Sequence, residues 1–200
     1  MSQLPTVAEI TALHRAYAPT RAVFEKVHTH CVIVGRIAEQ LATGPGGAGV
    51  DLDLVRAGCL LHDIGVYRLY DEEGRLDGAN YVRHGLLGVE ILRKEGLPES
   101  LHRFCSCHTG VGLTRHDVLS RQLPIPVDDY VAESAEERLV MYADKFHSKS
   151  NPPRFLRPDT FAAKIRRFGD DKVVAFQALA DEFGTPELEP LAAEFGHRIT

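Results

Sequence analysis

The stretch Leu60-Leu61-His62-Asp63-Ile64-Gly65 places a histidine and a carboxylate side by side at the end of an apolar run. An imidazole or a carboxylate is unfavourable in apolar surroundings unless it is hydrogen-bonded, paired or bound to a metal. His62 and Asp63 therefore need partners. Three further histidines and one aspartate also lie within or beside apolar segments, namely His30, His84, His108 and Asp144. A bound metal would account for all six residues at once.

Hydrophobic periodicity predicts helices on the N-terminal side of this stretch. Apolar residues recur at three- and four-residue steps between residues 6 and 17, which is the helical period. Thr20 can cap a second helix, and His30 falls on its apolar stripe. Asp51 resembles the N-cap of a third helix, which runs up to the His62-Asp63 pair. Helices therefore deliver the first candidate ligands.

The rest of the chain is also predicted to be helical. Residues 66–80 are polar and predict a surface loop over the site. Further helices are expected at residues 81–94, 98–108 and 135–147. They would place His84 in a first turn, His108 at a helix end and Asp144 in an apolar helix. Two or three amphipathic helices are expected within residues 151–200, so the predicted fold class is all-α.

Length and composition are typical of a soluble globular protein. The 200 residues are predicted to form a single domain (residues 1–200), with a core at about residues 20–150 and a helical extension at 151–200. Hydrophobic residues make up 44% and charged residues 26%. The net charge of −5 provides no basic field for a nucleic acid polymer, so a polyanionic substrate would need local cations or metals.

The sequence predicts a cytoplasmic protein without a membrane partner. Its apolar stretches are far shorter than a membrane span, and acidic Glu9 stands where a signal peptide would be basic. The four cysteines are too few for a disulfide scaffold; they are Cys31, Cys59, Cys105 and Cys107. Cys105 and Cys107 adjoin His108 and allow a thiolate metal site as an alternative, although no second cysteine pair completes it.

The order of the candidate ligands resembles that of the HD superfamily of metal-dependent phosphohydrolases: His30, then His62-Asp63, then Asp144. His62-Asp63-Ile64-Gly65 matches the HDIG variant letter for letter, and His84 and His108 resemble the branch that binds two metals. The likeness covers residues 20–149 and is greatest to small prokaryotic HDIG proteins related to the diadenosine-tetraphosphate hydrolases. The cyclic-dinucleotide branch carries a Gly-Tyr-Pro signature that is not found here, so that branch is disfavoured.

This resemblance implies an all-α, bundle-like HD core with two divalent transition metals, either Fe, Mn, Zn or Co. One metal would be held by His30, His62, Asp63 and Asp144, and the other by His84 and His108 with Asp63 as the bridge. The water between the metals would be the nucleophile, and His62 and Asp63 would carry the catalytic roles. The implied reaction is hydrolysis of a phosphomonoester or phosphoanhydride in a small nucleotide-like substrate.

The cations that would contact the substrate phosphate are less clearly indicated. Many two-metal relatives continue the HDIG motif with a lysine, whereas Val66 follows it here. The candidates for phosphate contact are Arg68, Arg115, Lys145 and Lys149, although Arg115 is equally well explained as a solvated side chain. A C-terminal basic cluster predicts a solvated face, with substrate gating or a homodimer contact as the alternative; its members are Lys164, Arg166, Arg167 and Lys172.

Other interpretations of the same residues stay open. His30 alone is also compatible with a core histidine, and His84 and His108 with cations that bind substrate phosphates beside a single metal. A di-iron oxygenase uses the same types of ligand, and a non-catalytic nucleotide sensor could retain the site. Oxygen uptake coupled to loss of substrate would identify the oxygenase, and tight nucleotide binding without turnover would identify the sensor.

Overall fold

The computed structural model describes residues 3–200 and is mainly helical. The α-helices are α1 (Val7–Tyr17), α2 (Arg21–Ala42), α3 (Leu52–Leu61), α4 (His84–Lys94), α5 (His102–Ser106), α6 (Arg115–Ser120), α7 (Ala135–Ala143), α8 (Pro158–Ile165), α9 (Asp170–Phe183) and α10 (Glu189–Phe195). Short 3-10 helices span Pro45–Gly47, Ile64–Leu69, Tyr81–Arg83, Glu99–Leu101, Asp144–Phe146 and Arg166–Phe168. The predicted all-α class is confirmed, with three two-residue strands added.

The predicted helix starts at Thr20 and Asp51 are confirmed by their capping hydrogen bonds. The Thr20 hydroxyl accepts the backbone N–H of Val23 at 3.2 Å. The Asp51 carboxylate accepts the N–H groups of Asp53 and Leu54, both at 3.0 Å. Each cap satisfies backbone donors that have no partner within the first turn of a helix. These two caps set where the ligand-bearing helices α2 and α3 begin.

The predicted polar loop at residues 66–80 is wrong for its first part. Ile64–Leu69 forms a 3-10 helix in which Val66, Tyr67 and Leu69 are buried. These side chains belong in the interior because they are apolar, and they keep the chain inside the protein beyond the His-Asp pair. Only the segment after Tyr70 forms a polar loop, as predicted.

The predicted helix at residues 135–147 ends earlier than expected. Helix α7 stops at Ala143, a 3-10 turn follows, and His147 begins strand β1 (His147–Ser148). Strand β1 pairs antiparallel with β2 (Arg154–Phe155), and β2 pairs in parallel with β3 (Arg198–Ile199). Such short strands depend on partners distant in the chain, so local periodicity does not reveal them.

The hydrophobic core surrounds α2. Val27, Val34 and Ile37 on this helix are fully buried, and α3 and α7 pack beside them. Phe176 and Phe183 of α9 belong to the same buried cluster, so the C-terminal helices cover part of the core. The division into a core and an extension stays a prediction. Among residues 3–200, no helix is both long enough and apolar enough to cross a membrane.

The C-terminal basic cluster is not a uniformly solvated face, because Lys172 is buried. Its ammonium donates to Asp117 Oδ2 at 2.5 Å, and Asp117 also accepts the N–H of Thr114 at the start of α6. A buried lysine requires such a partner, since an unpaired charge in the interior is strongly unfavourable. The ion pair therefore ties α9 to α6 and holds the turn before α9 in place.

His14 is fully buried next to the His-Asp stretch. Its Nε2 lies 2.7 Å from the carbonyl oxygen of Leu60, and its Nδ1 lies 2.8 Å from the hydroxyl of Tyr67. A carbonyl can only accept, so Nε2–H donates to Leu60 and Nδ1 accepts from Tyr67. Burial lowers the pKa of His14 to about 4. The ring is therefore neutral at neutral pH.

We expect the low pKa of His14 to reduce the free energy of unfolding in acid. Its pKa is about 4 in the folded protein and 6.5 in a free histidine, so below pH 6.5 the unfolded chain binds a proton that the folded chain does not. Stability is thus lost as the pH falls from 6.5 towards 4, by about 3 kcal/mol. Urea unfolding of metal-free wild type and His14→Gln at several pH values measures this. As the pH falls, the free energy of unfolding should decrease by about 3 kcal/mol less in the variant than in the wild type. Equal decreases in the two proteins would contradict the lowered pKa of His14.

Candidate metal centre

Two helices place the first two histidines. His30 lies on the buried face of α2, one helical turn after Val27, and is 1% exposed. His62 is the C-cap of α3, and its ring is held because Nδ1–H donates to the carbonyl of Cys59 at 2.7 Å. This bond leaves Nε2 of His62 as the nitrogen that faces outward from α3. The two Nε2 atoms lie 3.3 Å apart.

The first cluster consists of His30, His62, Asp63 and Asp144. His30 Nε2 lies 3.0 Å from Asp144 Oδ1 and 3.2 Å from Asp63 Oδ2. His62 Nε2 lies 3.4 Å from Asp63 Oδ2 and 3.5 Å from Asp144 Oδ1. One ligand atom of each residue thus points to a common centre, and all four atoms lie within 4.8 Å of one another. Two imidazoles and two carboxylates form a donor set typical of transition-metal sites.

The second cluster consists of Asp63, His84 and His108. His84 and His108 bring their Nε2 atoms to 2.9 Å, and these lie 3.6 and 3.5 Å from Asp63 Oδ1. The Nδ1–H of His84 donates to the carbonyl of Tyr81 at 2.6 Å, and that of His108 donates to Phe104 at 2.9 Å. Backbone carbonyls therefore orient both rings with Nε2 towards Asp63, as is usual for metal-binding histidines.

Asp63 belongs to both clusters. Its Oδ2 faces His30 and His62, and its Oδ1 faces His84 and His108. The side chain is almost completely buried. Burial opposes ionisation, yet the nearby cation of Lys149 and the ring of His62 hold the pKa of Asp63 well below its usual range. An ionised carboxylate with one oxygen towards each cluster has the geometry of a bridging ligand.

The protonation states suit metal binding. Burial lowers the pKa of His84 to about 3, so its imidazole is neutral and can donate a lone pair to a metal. At His62 burial disfavours the charged ring, but Asp63 and Asp144 raise its pKa well above the usual value. The two carboxylates thus favour a cation at this place, and a metal would displace the proton from His62. These residues fit divalent transition metals.

Lys145 and Lys149 lie at the clusters. Lys145 Nζ donates to Asp144 Oδ2 at 2.6 Å and to the carbonyl of His108 at 2.8 Å. The ammonium of Lys149 contacts Asp63 Oδ2. Val66, which directly follows Gly65, is buried. Two lysines after α7 therefore place cations beside the ligands where the HDIG motif itself supplies none.

Arg68 and Arg115 lie elsewhere. Arg68 pairs with Glu90 of α4 at 2.7 Å. Arg115 pairs with Asp128 at 3.2 Å, and its backbone N–H donates to Asp129. Neither arginine lines the cavity beside the clusters. Of the four cations predicted to contact phosphate, the structure therefore brings only the two lysines to the site.

A cavity of about 510 Å³ opens beside the clusters. Asp144 and His147 line it near the ligands, together with Lys145 and Lys149. Tyr70, Tyr81 and Phe161 contribute aromatic surface. The volume is within the usual range for small-molecule sites. None of the four cysteines belongs to either cluster, so the structure does not support the alternative thiolate site.

Sequence reasoning missed His147 and His197. The Nδ1 atoms of His30 and His147 lie 2.9 Å apart, and His147 Nε2 lies 3.0 Å from His197 Nδ1. If His30 binds a metal through Nε2, its Nδ1–H donates to His147, which in turn donates to His197. His147 and His197 come together through strands β1 to β3, and no local pattern in the sequence indicates this.

Comparisons with known proteins cover the part of the chain that carries both clusters. The HD domain family model matches residues 27–149. An uncharacterised protein of Methanocaldococcus jannaschii is 37% identical over 122 residues, which are 60% of this chain and 65% of that protein. A tRNA (cytidine(56)-2'-O)-methyltransferase of Picrophilus torridus is 38% identical over 98 residues, which are 49% of this chain. Only 25% of that methyltransferase is matched, so its activity is not carried over.

The fold resembles that of a solved HD domain. The HD domain of the Listeria monocytogenes phosphodiesterase PgpH aligns with a TM-score of 0.53 at 17% identity, covering 93% of this chain and 98% of that one. The same domain in complex with cyclic-di-AMP aligns equally well, over 90% of this chain and 89% of that one. At this identity the likeness shows the fold alone. The family match covers more than half of the sequence, and this chain belongs to the HD domain family.

Proposed function

We propose that this protein is a dinuclear, HDIG-type metal-dependent phosphohydrolase that cleaves a phosphomonoester or phosphoanhydride in a small nucleotide. The observation that carries the proposal is the position of Asp63 between two histidine clusters at a cavity lined with lysines. Hydrolysis of phosphate esters needs a nucleophilic water and neutralisation of the charge on the transferred group. Two divalent metals, when bound, would supply both.

The residues of this chain would bind and orient the reactants. His30, His62 and Asp144 would hold one metal, His84 and His108 the other, and Asp63 would join them. Lys145 and Lys149 offer ammonium groups to the phosphate oxygens, which lowers the cost of bringing a polyanion to the buried carboxylates. In the reaction, the water gives up a proton as its oxygen bonds to phosphorus, the bond from phosphorus to the leaving oxygen breaks, and the leaving oxygen takes up a proton.

A nucleotide is the proposed substrate because the cavity combines cations with aromatic side chains. Tyr70, Tyr81 and Phe161 can pack against a base, while the lysines face the phosphates. The complex of the PgpH domain with cyclic-di-AMP shows that the fold can bind a nucleotide in another protein. Cytoplasmic location and a homodimer remain predictions from the sequence.

Phosphate release under strict anoxia tests this proposal. Protein purified without oxygen and loaded with Mn²⁺ is incubated with nucleoside mono- and diphosphates and with dinucleoside polyphosphates, and inorganic phosphate or the nucleotide product is measured. We expect turnover that is lost with a chelator and restored with the metal. Tight nucleotide binding without turnover would favour a sensor instead. Substrate loss only with coupled oxygen uptake would favour the oxygenase.

A further inference from the structure

The cavity beside the clusters is far more basic than the chain as a whole. The sequence carries a net charge of −5. The cavity, by contrast, is lined by five cations and by one carboxylate, that of Asp144. The cations are Lys26, Lys145, Lys149, Lys164 and Arg167. This local reversal of charge favours an anionic ligand that is larger than a single phosphate.

The five cations fall into two groups. Lys145 and Lys149 are paired with the carboxylates of the metal clusters. Among the residues that the structure describes, Lys26, Lys164 and Arg167 form no salt bridge, although they line the same cavity. Their charge is therefore available to a ligand. We call these three residues the distal cations, because none of them forms a salt bridge with a carboxylate of the clusters.

Lys164 lies close to two arginines. Burial, together with the charges of Arg154 and Arg167, lowers the pKa of Lys164. The Nε of Arg154 is buried without a hydrogen-bond partner. Neighbouring cations without an anion repel one another, so this arrangement costs stability in the free protein. A bound anion would offset that cost.

The segment that carries two of the distal cations is anchored by one buried residue. Ile165 is buried between Lys164 and Arg167. The guanidinium groups of Arg167 and Arg121 each lie over the ring of Phe168, 4.5 Å and 4.3 Å from its centroid. The buried Lys172–Asp117 pair ties the start of α9, which follows this segment, to α6. Lys164 and Arg167 flank the buried Ile165 and line the cavity with exposed side chains that a ligand can reach.

We propose that Lys26, Lys164 and Arg167 form a second phosphate subsite, and that the substrate is a nucleotide with at least two phosphates. One phosphate would lie at the metal centre and be hydrolysed, while another would lie on the distal cations. This inference rests on the proposed function and deepens it. It assigns a substrate-binding role to the C-terminal segment, outside the residues matched by the HD family.

Binding of two non-hydrolysable analogues tests the subsite separately from turnover. Calorimetry on the Mn²⁺-loaded full chain compares α,β-methylene-ADP with the phosphonate analogue of AMP. The wild type should bind the diphosphate analogue more tightly by about tenfold or more, as expected for added charge-assisted hydrogen bonds. In the double variant Lys164→Ala/Arg167→Ala this preference should fall below about twofold.

Arg166→Ala is the matched control. Arg166 lies on the same turn, is exposed, pairs with Asp170 at 3.5 Å and does not line the cavity. This variant should keep the wild-type preference. Equal affinity for the two analogues in the wild type, binding of neither, or a preference that persists in the double variant would overturn the subsite. If the protein hydrolyses nucleotides but does not prefer the diphosphate analogue, only the second phosphate subsite is refuted. If it prefers the diphosphate analogue but hydrolyses no nucleotide, only the proposed hydrolase function is refuted.

Discussion

Asp63→Asn should abolish hydrolysis while leaving the fold intact. The amide has almost the same size as the carboxylate but lacks the negative charge that both clusters share, and its nitrogen cannot bind a metal. At metal sites, loss of a residue that hydrogen-bonds to a ligand lowers metal affinity or activity about 10- to 100-fold. Loss of a ligand shared by both clusters should therefore reduce kcat by roughly a thousandfold or more. Phosphate release and metal content of the purified variant measure the effect, and circular dichroism checks the helix content.

Asp53→Asn provides the control for this substitution. Asp53 lies on α3, the helix that also delivers His62, but it is exposed and makes only a surface pair with Arg56 at 3.2 Å. Exposed pairs of this kind contribute little to stability. We expect wild-type activity from this variant. Hydrolysis by Asp63→Asn at the wild-type rate would show that the reaction does not depend on the shared carboxylate.

Gly65→Ala should destabilise the fold severely. A Cβ at position 65 would lie 2.0 Å from the carbonyl oxygen of His84 and 2.2 Å from the backbone nitrogen of Gly88. Both are backbone atoms and cannot rotate away, so the Ile64–Leu69 turn and α4 would have to separate. Overpacking usually costs 1–3 kcal/mol, and we expect about 3 kcal/mol or more here. The midpoint of urea unfolding and the soluble yield measure this.

A substitution at a second glycine controls for the general effect of adding a methyl group. Gly78 lies in the loop before α4, and a Cβ there would meet nothing within 4 Å. Gly78→Ala should therefore change the free energy of unfolding by less than about 0.5 kcal/mol. An unchanged unfolding midpoint in Gly65→Ala would contradict the close packing. A glycine is thus required at the end of the His-Asp-Ile-Gly stretch, because its lack of a side chain lets α4 approach and bring His84 to Asp63.

Much of the fold could be predicted because its signals are local. The caps at Thr20 and Asp51 need only residues within one helical turn, and the apolar stripe of α2 identifies the buried face that carries His30. The strands could not be predicted in this way. Each has two residues, and β2 pairs with β3 more than forty positions away. Only the tertiary fold brings them together.

The positions of the candidate ligands also depend partly on local signals and partly on the tertiary fold. Periodicity places His30 on a buried face, but the meeting of His30 with Asp144 depends on how α2 packs against α7. The division of the six candidate ligands between two metals rests on the resemblance to a family and not on any local pattern. His147 and Lys172 carry no local signal, because each becomes buried only through a partner far along the chain.

Metal stoichiometry tests the central claim most directly. Elemental analysis of anaerobically purified protein, with wild type and His84→Ala measured side by side, reports how many ions each chain holds. Wild type should contain two divalent transition metals per chain. The variant should retain one, because His84 belongs to the second cluster and not to the first. One metal in both proteins would contradict the dinuclear centre, and no metal even after reconstitution would contradict the metal site itself.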